Sequence, residues 1–133
     1  MTGLNILTVN VRGTIKNPQQ RNKLLSCVQL QDINILSLQE THVCDMKYKF
    51  EIDRIFDCKL YWSFGTNDSK GVAILVMNNF DRTIEKFERD IDGRIVTVNI
   101  RSELRNFKIV NVYAPNNNTE KKNIFSKTLI GSL

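Results

Sequence analysis

The sequence predicts an α/β fold, a mixed β-sheet with helices on its outer face. Three observations predict it. Residues 4–39 read as strand, helix, strand. From residue 59 onward, short apolar runs alternate with polar turns, the pattern of antiparallel strands. Asn10, Glu40 and Tyr113 each end an apolar, β-like run, and open α/β sheets build their sites beyond the carboxyl ends of strands.

The elements follow in order. Residues 4–11 read as a strand buried on both faces, as expected of a central parallel strand. Asn17-Pro18 starts a helix, with Asn as cap and Pro at the first helical position. Arg21, Leu24, Leu25 and Val28 keep helical spacing as far as Leu30, and Asp32 breaks it. Residues 33–39 form the next strand. A helical crossover makes the two strands parallel, so Asn10 and Glu40 share one edge of the sheet. Residues 45–56 read as a second helix capped by Asp45. Lys59–Phe64 and Val72–Met77 flank the polar turn Gly65–Lys70. Arg82–Arg89 turns through Asp92-Gly93, a hairpin signal. Ile95–Ile100 pairs with Phe107–Tyr113, and Pro115 ends the last strand because it cannot donate to a ladder. Asn117 and Glu120 have capping-box spacing for a final helix carrying Ile124, Phe125, Thr128 and Leu129.

A chain of 133 residues is one domain or part of one. Nineteen Lys and Arg against fourteen Asp and Glu give a net charge of +5, which favours a polyanionic partner such as nucleic acid. Cys27, Cys44 and Cys58 are odd in number and lack C-x-x-C spacing, which argues against a disulfide framework. A reducing, intracellular setting, nuclear or cytoplasmic, is therefore expected. His42-x-Cys44 has no second ligand pair to make a metal site. Asn5 and Asn10 interrupt the first apolar stretch and Arg12 follows it, unlike a signal peptide. No apolar run approaches the roughly 20 residues of a membrane span, so no membrane partner is expected.

Glu40 follows Leu36-Ser-Leu-Gln39, and a carboxylate at the end of a buried strand is costly unless paired or bound to a cation. A lone carboxylate beside an amide suits Mg²⁺, which keeps several waters and takes few protein ligands. Asn10 offers an amide oxygen to such a cation or to its waters. Tyr113 and Asn116 flank the stiff Ala114-Pro115 step, and both can donate to a phosphate oxygen. The plainer readings are a polar strand end for Asn10, a cap or ion pair for Glu40 and aromatic packing for Tyr113. His42, the single histidine, reads as a structural residue and is not assigned as a base.

Together the motifs say more than singly. Thr8-Val-Asn10-Val11, Leu38-Gln-Glu40-Thr-His42, Gly71-Val-Ala-Ile-Leu75, Asp92-Gly-Arg94 and Asn111-Val-Tyr113-Ala-Pro115-Asn116 run in the order of one family. The chain resembles the endonuclease/exonuclease/phosphatase superfamily, which includes DNase I and the apurinic endonucleases. Gln39-Glu-Thr-His42 with Gly71–Val76 is most similar to the endonuclease domain of LINE-type, non-LTR retrotransposons. The resemblance covers the whole chain and the N-terminal half of the family's domain. It implies a four-layered α/β sandwich, DNase I-like, of which this chain is the first half. It also implies phosphodiester or phosphomonoester hydrolysis with Mg²⁺ or Mn²⁺, and DNA as substrate. By the same resemblance Glu40 is the principal metal ligand and Asn10 its amide neighbour. Tyr113 contacts the scissile phosphate with Asn116 nearby, and Arg12 reaches a nucleic-acid phosphate.

Two family motifs do not occur here, a Gly-Asp-Phe-Asn-like run and a terminal Ser-Asp-His. Asp32-Ile-Asn34 has the right residue types in the wrong place. An attacking water then has no evident base, so a truncated and catalytically impaired chain is expected. The alternatives are a non-catalytic relic or interaction fragment, and a phosphatase of the same fold acting on a phospholipid head group. Half a sandwich should also leave one apolar sheet face uncovered. Such a face would call for a complementing C-terminal half or self-association.

Overall fold

A computed structural model describes residues 3–103, 105–115 and 124–132. The order is β1 (Ile6–Asn10), a 3-10 turn (Thr14–Lys16), α1 (Pro18–Leu30), β2 (Ile35–Gln39), α2 (Met46–Phe56), β3 (Cys58–Ser63), β4 (Val72–Met77), β5 (Arg82–Arg89), β6 (Ile95–Ser102), β7 (Asn106–Pro115) and β8 (Ile124–Ser132). Helix α1 starts as its sequence dictates. The Asn17 side chain accepts from the amides of Gln19 and Gln20 at 2.9 and 3.2 Å, and Pro18 follows. Asp45 caps α2 by accepting from the Lys47 amide at 2.8 Å. The crossover through α1 makes β1 and β2 parallel, with Asn10 opposite Gln39.

The strands form two four-stranded sheets, ordered β1-β2-β4-β3 and β5-β6-β7-β8. Strands β2 and β4 are buried throughout, and their alternate residues serve two cores. Leu36, Leu38, Ala73 and Leu75 face the helix layer with Val28, Ile52 and Phe56. Ile35, Val72, Ile74 and Val76 face the second sheet, against Val96, Val98, Ile100, Phe107 and Ile109. Each such side chain contributes about 1.5–3 kcal/mol on burial. The described layers are therefore helix, sheet, sheet.

Three expectations change. The strands make two packed sheets, so the inner face of the first sheet is covered within this chain. The period-2 pattern of Ile95-Val-Thr-Val-Asn-Ile100 carries the reason: Val96, Val98 and Ile100 are buried while their neighbours are not. Self-association through an uncovered inner face loses its basis. Strand β1 is at a sheet edge among the described residues and is only partly buried. Its unbroken apolar look reflects packing on both faces, Leu7 and Val9 on the helix-side core and Leu4 and Ile6 on the inter-sheet core. The predicted final helix is replaced by β8, antiparallel to β7 from Phe107 opposite Ser132 to Pro115 opposite Ile124. Ile124, Thr128 and Ile130 are β-branched, and the edge of β7 offers a full ladder to a run too short for periodicity to decide. Asn117 and Glu120 lie outside the described residues. Among the described residues no helix is long and apolar enough to cross a membrane.

Candidate functional site

The carboxyl ends of β1 and β2 meet a rim of tight reversals. Arg12, Gly13, Glu40, His42, Lys70, Gly71 and Gly93 all have positive φ, from 46° at Arg12 to 95° at Gly71. Non-glycine residues rarely adopt this conformation, and it persists only where surrounding bonds hold it. Those bonds are present. The Gly13 amide donates to the Glu40 carbonyl at 2.7 Å, Thr41 to Gly71 at 3.0 Å and His42 to Lys70 at 2.9 Å. Gly71 donates to the Gly93 carbonyl at 2.9 Å, and Tyr113 to Arg94 at 2.7 Å. The rim thus ties the ends of both sheets together. Glycine is required at position 71, where a Cβ would stand 2.2 Å from Thr41 Oγ1.

Glu40 is buried, 8% exposed, and its Oε2 has no hydrogen-bond partner. The Tyr113 hydroxyl is hydrogen-bonded to the Glu40 carboxylate. Burial, then the Glu40 charge and this bond, push the phenol above its ordinary range, and the nearby Arg94 guanidinium pulls the other way. Arg94 Nε is itself buried and unpartnered. Its backbone is fixed by Asp90, whose Oδ1 accepts from the amides of Arg94 and Ile95 at 3.1 Å each and from Ser63 Oγ at 2.7 Å. Burial alone would raise the Asp90 carboxyl. The bonds from Ser63, Ile95, Arg94 and Asp92 outweigh it and hold the group below its usual value.

Asn10 Oδ1 accepts from the Arg12 amide at 3.2 Å, shaping the turn out of β1. A groove of about 270 Å³ opens beside Asn10, with Gln20 and Lys23 at its rim and Ile15 and Leu24 lining it. The Arg12 side chain is exposed. His42 packs on Gly13, where a Cβ would stand 2.5 Å from its Nδ1. Glu40 and Tyr113 are therefore in contact, and Asn10 stands at the same sheet edge through the β1–β2 register. Asn116 lies outside the described residues. Arg94 joins the site although sequence reasoning gave it no role. Its signal was there, in the Asp92-Gly-Arg94 turn that precedes β6.

No protein-family profile matches the chain. Over 126 residues it is 28% identical to the transposon TX1 uncharacterized 149 kDa protein of Xenopus laevis, spanning 92% of this chain and 9% of that protein. An AP endonuclease from Archaeoglobus fulgidus superposes with a TM-score of 0.62 at 20% identity, over 85% of this chain and 42% of the other. Over that span the chain shares the fold of this AP endonuclease. The AP endonuclease LMAP from Leishmania major also superposes, with a TM-score of 0.50 at 15% identity, over 71% of this chain and 34% of the other. The chain thus spans less than half the length of either endonuclease, and a small fraction of its transposon relative. Glu40 stands one residue past β2, and Tyr113 lies within β7, two residues before its end.

Proposed function

We propose that this chain is the N-terminal part of a retrotransposon-type nuclease domain that holds a divalent cation and a DNA phosphate at the Asn10–Glu40–Tyr113 rim. The observation that carries the reading is Glu40 Oε2, a buried carboxylate oxygen with no partner. Such an atom is costly unless a cation or donor meets it. Among the described residues no cluster of three or more His, Cys, Asp or Glu converges, which fits Mg²⁺ or Mn²⁺ held by few protein ligands better than zinc. Glu40 and Asn10 are the residues that would hold it. When bound, the cation supplies charge stabilisation to the phosphate.

The rest falls to the chain's own groups. Tyr113 carries its phenolic proton at neutral pH, as an ordinary phenol does, and so is a donor to a phosphoryl oxygen. Arg94 adds a positive charge beside it, with an Nε still lacking an acceptor. Asn116, one residue past Pro115, is assigned as a second donor through the resemblance. Exposed Arg12 and the net charge of +5 favour a DNA strand over a phospholipid head group. Turnover by these residues alone is slow, because His42 is packed on Gly13 and no residue here is assigned as a base. Three free cysteines accord with a nuclear or cytoplasmic setting.

Titration calorimetry with Mn²⁺ tests the reading. The wild type is expected to bind one ion, and Glu40→Ala to lose at least tenfold in affinity. Equal affinity in the two proteins would refute the site. Plasmid nicking with Mg²⁺, compared between the same two proteins, then reads turnover. Nicking that vanishes in the variant marks an active nuclease, and its absence at high protein concentration marks a binding fragment.

A further inference from the structure

Directly beneath the rim, a chain of polar side chains crosses between the sheets. Asn111 of β7 is completely buried and Gln39 of β2 is 3% exposed. Both protons of the Asn111 amide reach the first sheet, donating to the carbonyls of Leu38 and Ala73 at 2.8 Å each. Leu38 and Ala73 are themselves directly opposed across the β2–β4 ladder. Gln39 Nε2 donates to Asn111 Oδ1 at 2.8 Å and to Thr8 Oγ1 of β1 at 2.9 Å. Four strands are thereby joined at one level.

The level is informative. Thr8 lies two residues before Asn10 on β1, Gln39 immediately before Glu40 on β2, and Asn111 two residues before Tyr113 on β7. Every residue of the candidate site that the structure describes on these strands thus lies one or two residues beyond a member of this polar chain, of which Gln39 and Asn111 are buried and Thr8 is exposed. Aliphatic side chains such as Ile35, Val72, Ile74 and Val98 predominate at the surrounding inter-sheet positions, with Ser37 a second buried polar residue on that face of β2. Apolar contacts between sheets are non-directional and tolerate sliding. A slide of one residue along a strand is about 3.3 Å, enough to part the Tyr113 phenol from the Glu40 carboxylate. Directional bonds to fixed carbonyls resist such a slide, and the Gln39–Asn111 part of the network is buried, where a hydrogen bond is electrostatically stronger than in water.

We propose that Gln39 and Asn111, with Thr8, are positioning residues: they fix the first sheet against the second so that Glu40 and Tyr113 meet at one separation. The proposal rests on the metal-and-phosphate reading of the rim for its functional sense, but its structural content can be measured without a metal. Three variants serve, Gln39→Met and Asn111→Leu of nearly unchanged size, and Thr8→Val, which removes the hydroxyl at the exposed end of the chain.

Amide hydrogen exchange on the metal-free chain reads the frame itself. Exchange at Gly13, Thr41 and Tyr113 is expected to quicken about tenfold in Gln39→Met and Asn111→Leu, and two- to threefold in Thr8→Val, while Val98 and Ile100 change less than twofold. Mn²⁺ titration reads the consequence, an affinity about tenfold weaker in Gln39→Met. The Gln39→Met/Asn111→Leu double variant should be no weaker than the worse single one, because both cut the same connection. Uniform acceleration across both sheets, or none at the rim in any variant including Thr8→Val, would overturn the proposal by reducing the chain to general stability. If the wild type binds no Mn²⁺ through Glu40, the metal reading fails and the exchange pattern still decides the frame.

Discussion

Replacing Gly71 with alanine should damage the rim severely. Gly71 has φ of 95°, and its added Cβ would meet Thr41 Oγ1 at 2.2 Å and the amides of Gly65 and His42 at 3.3 Å. Thr41 is fully buried and its own amide is bonded to the Gly71 carbonyl, so it has little room to yield. A left-handed L-residue costs about 1–2 kcal/mol. Forcing a methyl into a packed site costs about 1–3 kcal/mol more. The smaller entropy of the unfolded alanine chain offsets about 0.4–1 kcal/mol of this. The net expectation is a loss of about 2–4 kcal/mol, a large share of the 5–15 kcal/mol that holds an ordinary domain. With a urea dependence of about 2 kcal/mol per molar, the unfolding midpoint should fall by 1–2 M. Gly3, where a Cβ meets nothing within 4 Å, is the control and should shift by less than a quarter of that. A Gly71→Ala midpoint within error of the Gly3→Ala value would refute the account of the rim as a sterically locked reversal.

Asp90→Ala should cost about 2 kcal/mol at neutral pH, since charge-assisted bonds to Ser63, Arg94 and Ile95 are lost together. Because the folded carboxyl is held below its ordinary value of 3.8, that stability is present above this pH and disappears as pH falls through the folded value. Denaturation of wild type and variant should therefore converge in acid, and a gap independent of pH would sink the assignment. The Tyr113 phenol carries the opposite sign. Its stabilisation is complete below the ordinary value of 10.0 and is lost as pH rises through the higher folded value. In Glu40→Gln the phenol, identified by difference from Tyr113→Phe in tyrosinate absorbance, should titrate lower than in wild type yet above its ordinary range, because burial is the largest cause. Thiol labelling at mildly alkaline pH should modify exposed Cys44 quickly. Buried Cys58, pushed up to about 12 by burial and then by Asp53 and Asp57, should react only through unfolding, and labelling at equal rates would contradict this.

Local chemistry was readable wherever one residue decides the outcome. Asn17-Pro18 starts α1, Asp45 caps α2 and Asp92-Gly93 turns β5 into β6, each because a side chain or a backbone conformation acts on its own neighbours. The βαβ unit was readable for the same reason, and it brought Asn10 and Glu40 to one edge. What failed depended on distant partners. The period-2 pattern of Ile95–Ile100 marks a strand with one buried face, but that this face covers Ile35 and Ile74 of a separate sheet follows from packing between distant segments. The Ile124–Ser132 strand answers to the edge of β7, not to the helical spacing of its own residues. Within the site, Glu40 and Tyr113 stood out as polar strand ends. Arg94 did not, because its importance comes from lying beside Tyr113, nineteen residues further along the chain. Asn111 read as an ordinary strand residue, and only the stacking of two sheets reveals it as a bridge.

The two sheets also differ in how they must come together in time. In the second sheet each strand pairs with its neighbour in sequence, so it can zip as successive hairpins. The first sheet inserts β4 between β2 and β3 and joins β1 to β2 across a helix, which demands earlier closure of longer loops. The Gln39–Asn111 bond spans 72 residues and needs both sheets already formed. The rim that carries Glu40 and Tyr113 is thus expected to be the last part of the molecule to assemble and among the first to come apart. Substitutions there should hasten unfolding while leaving the rate of refolding little changed.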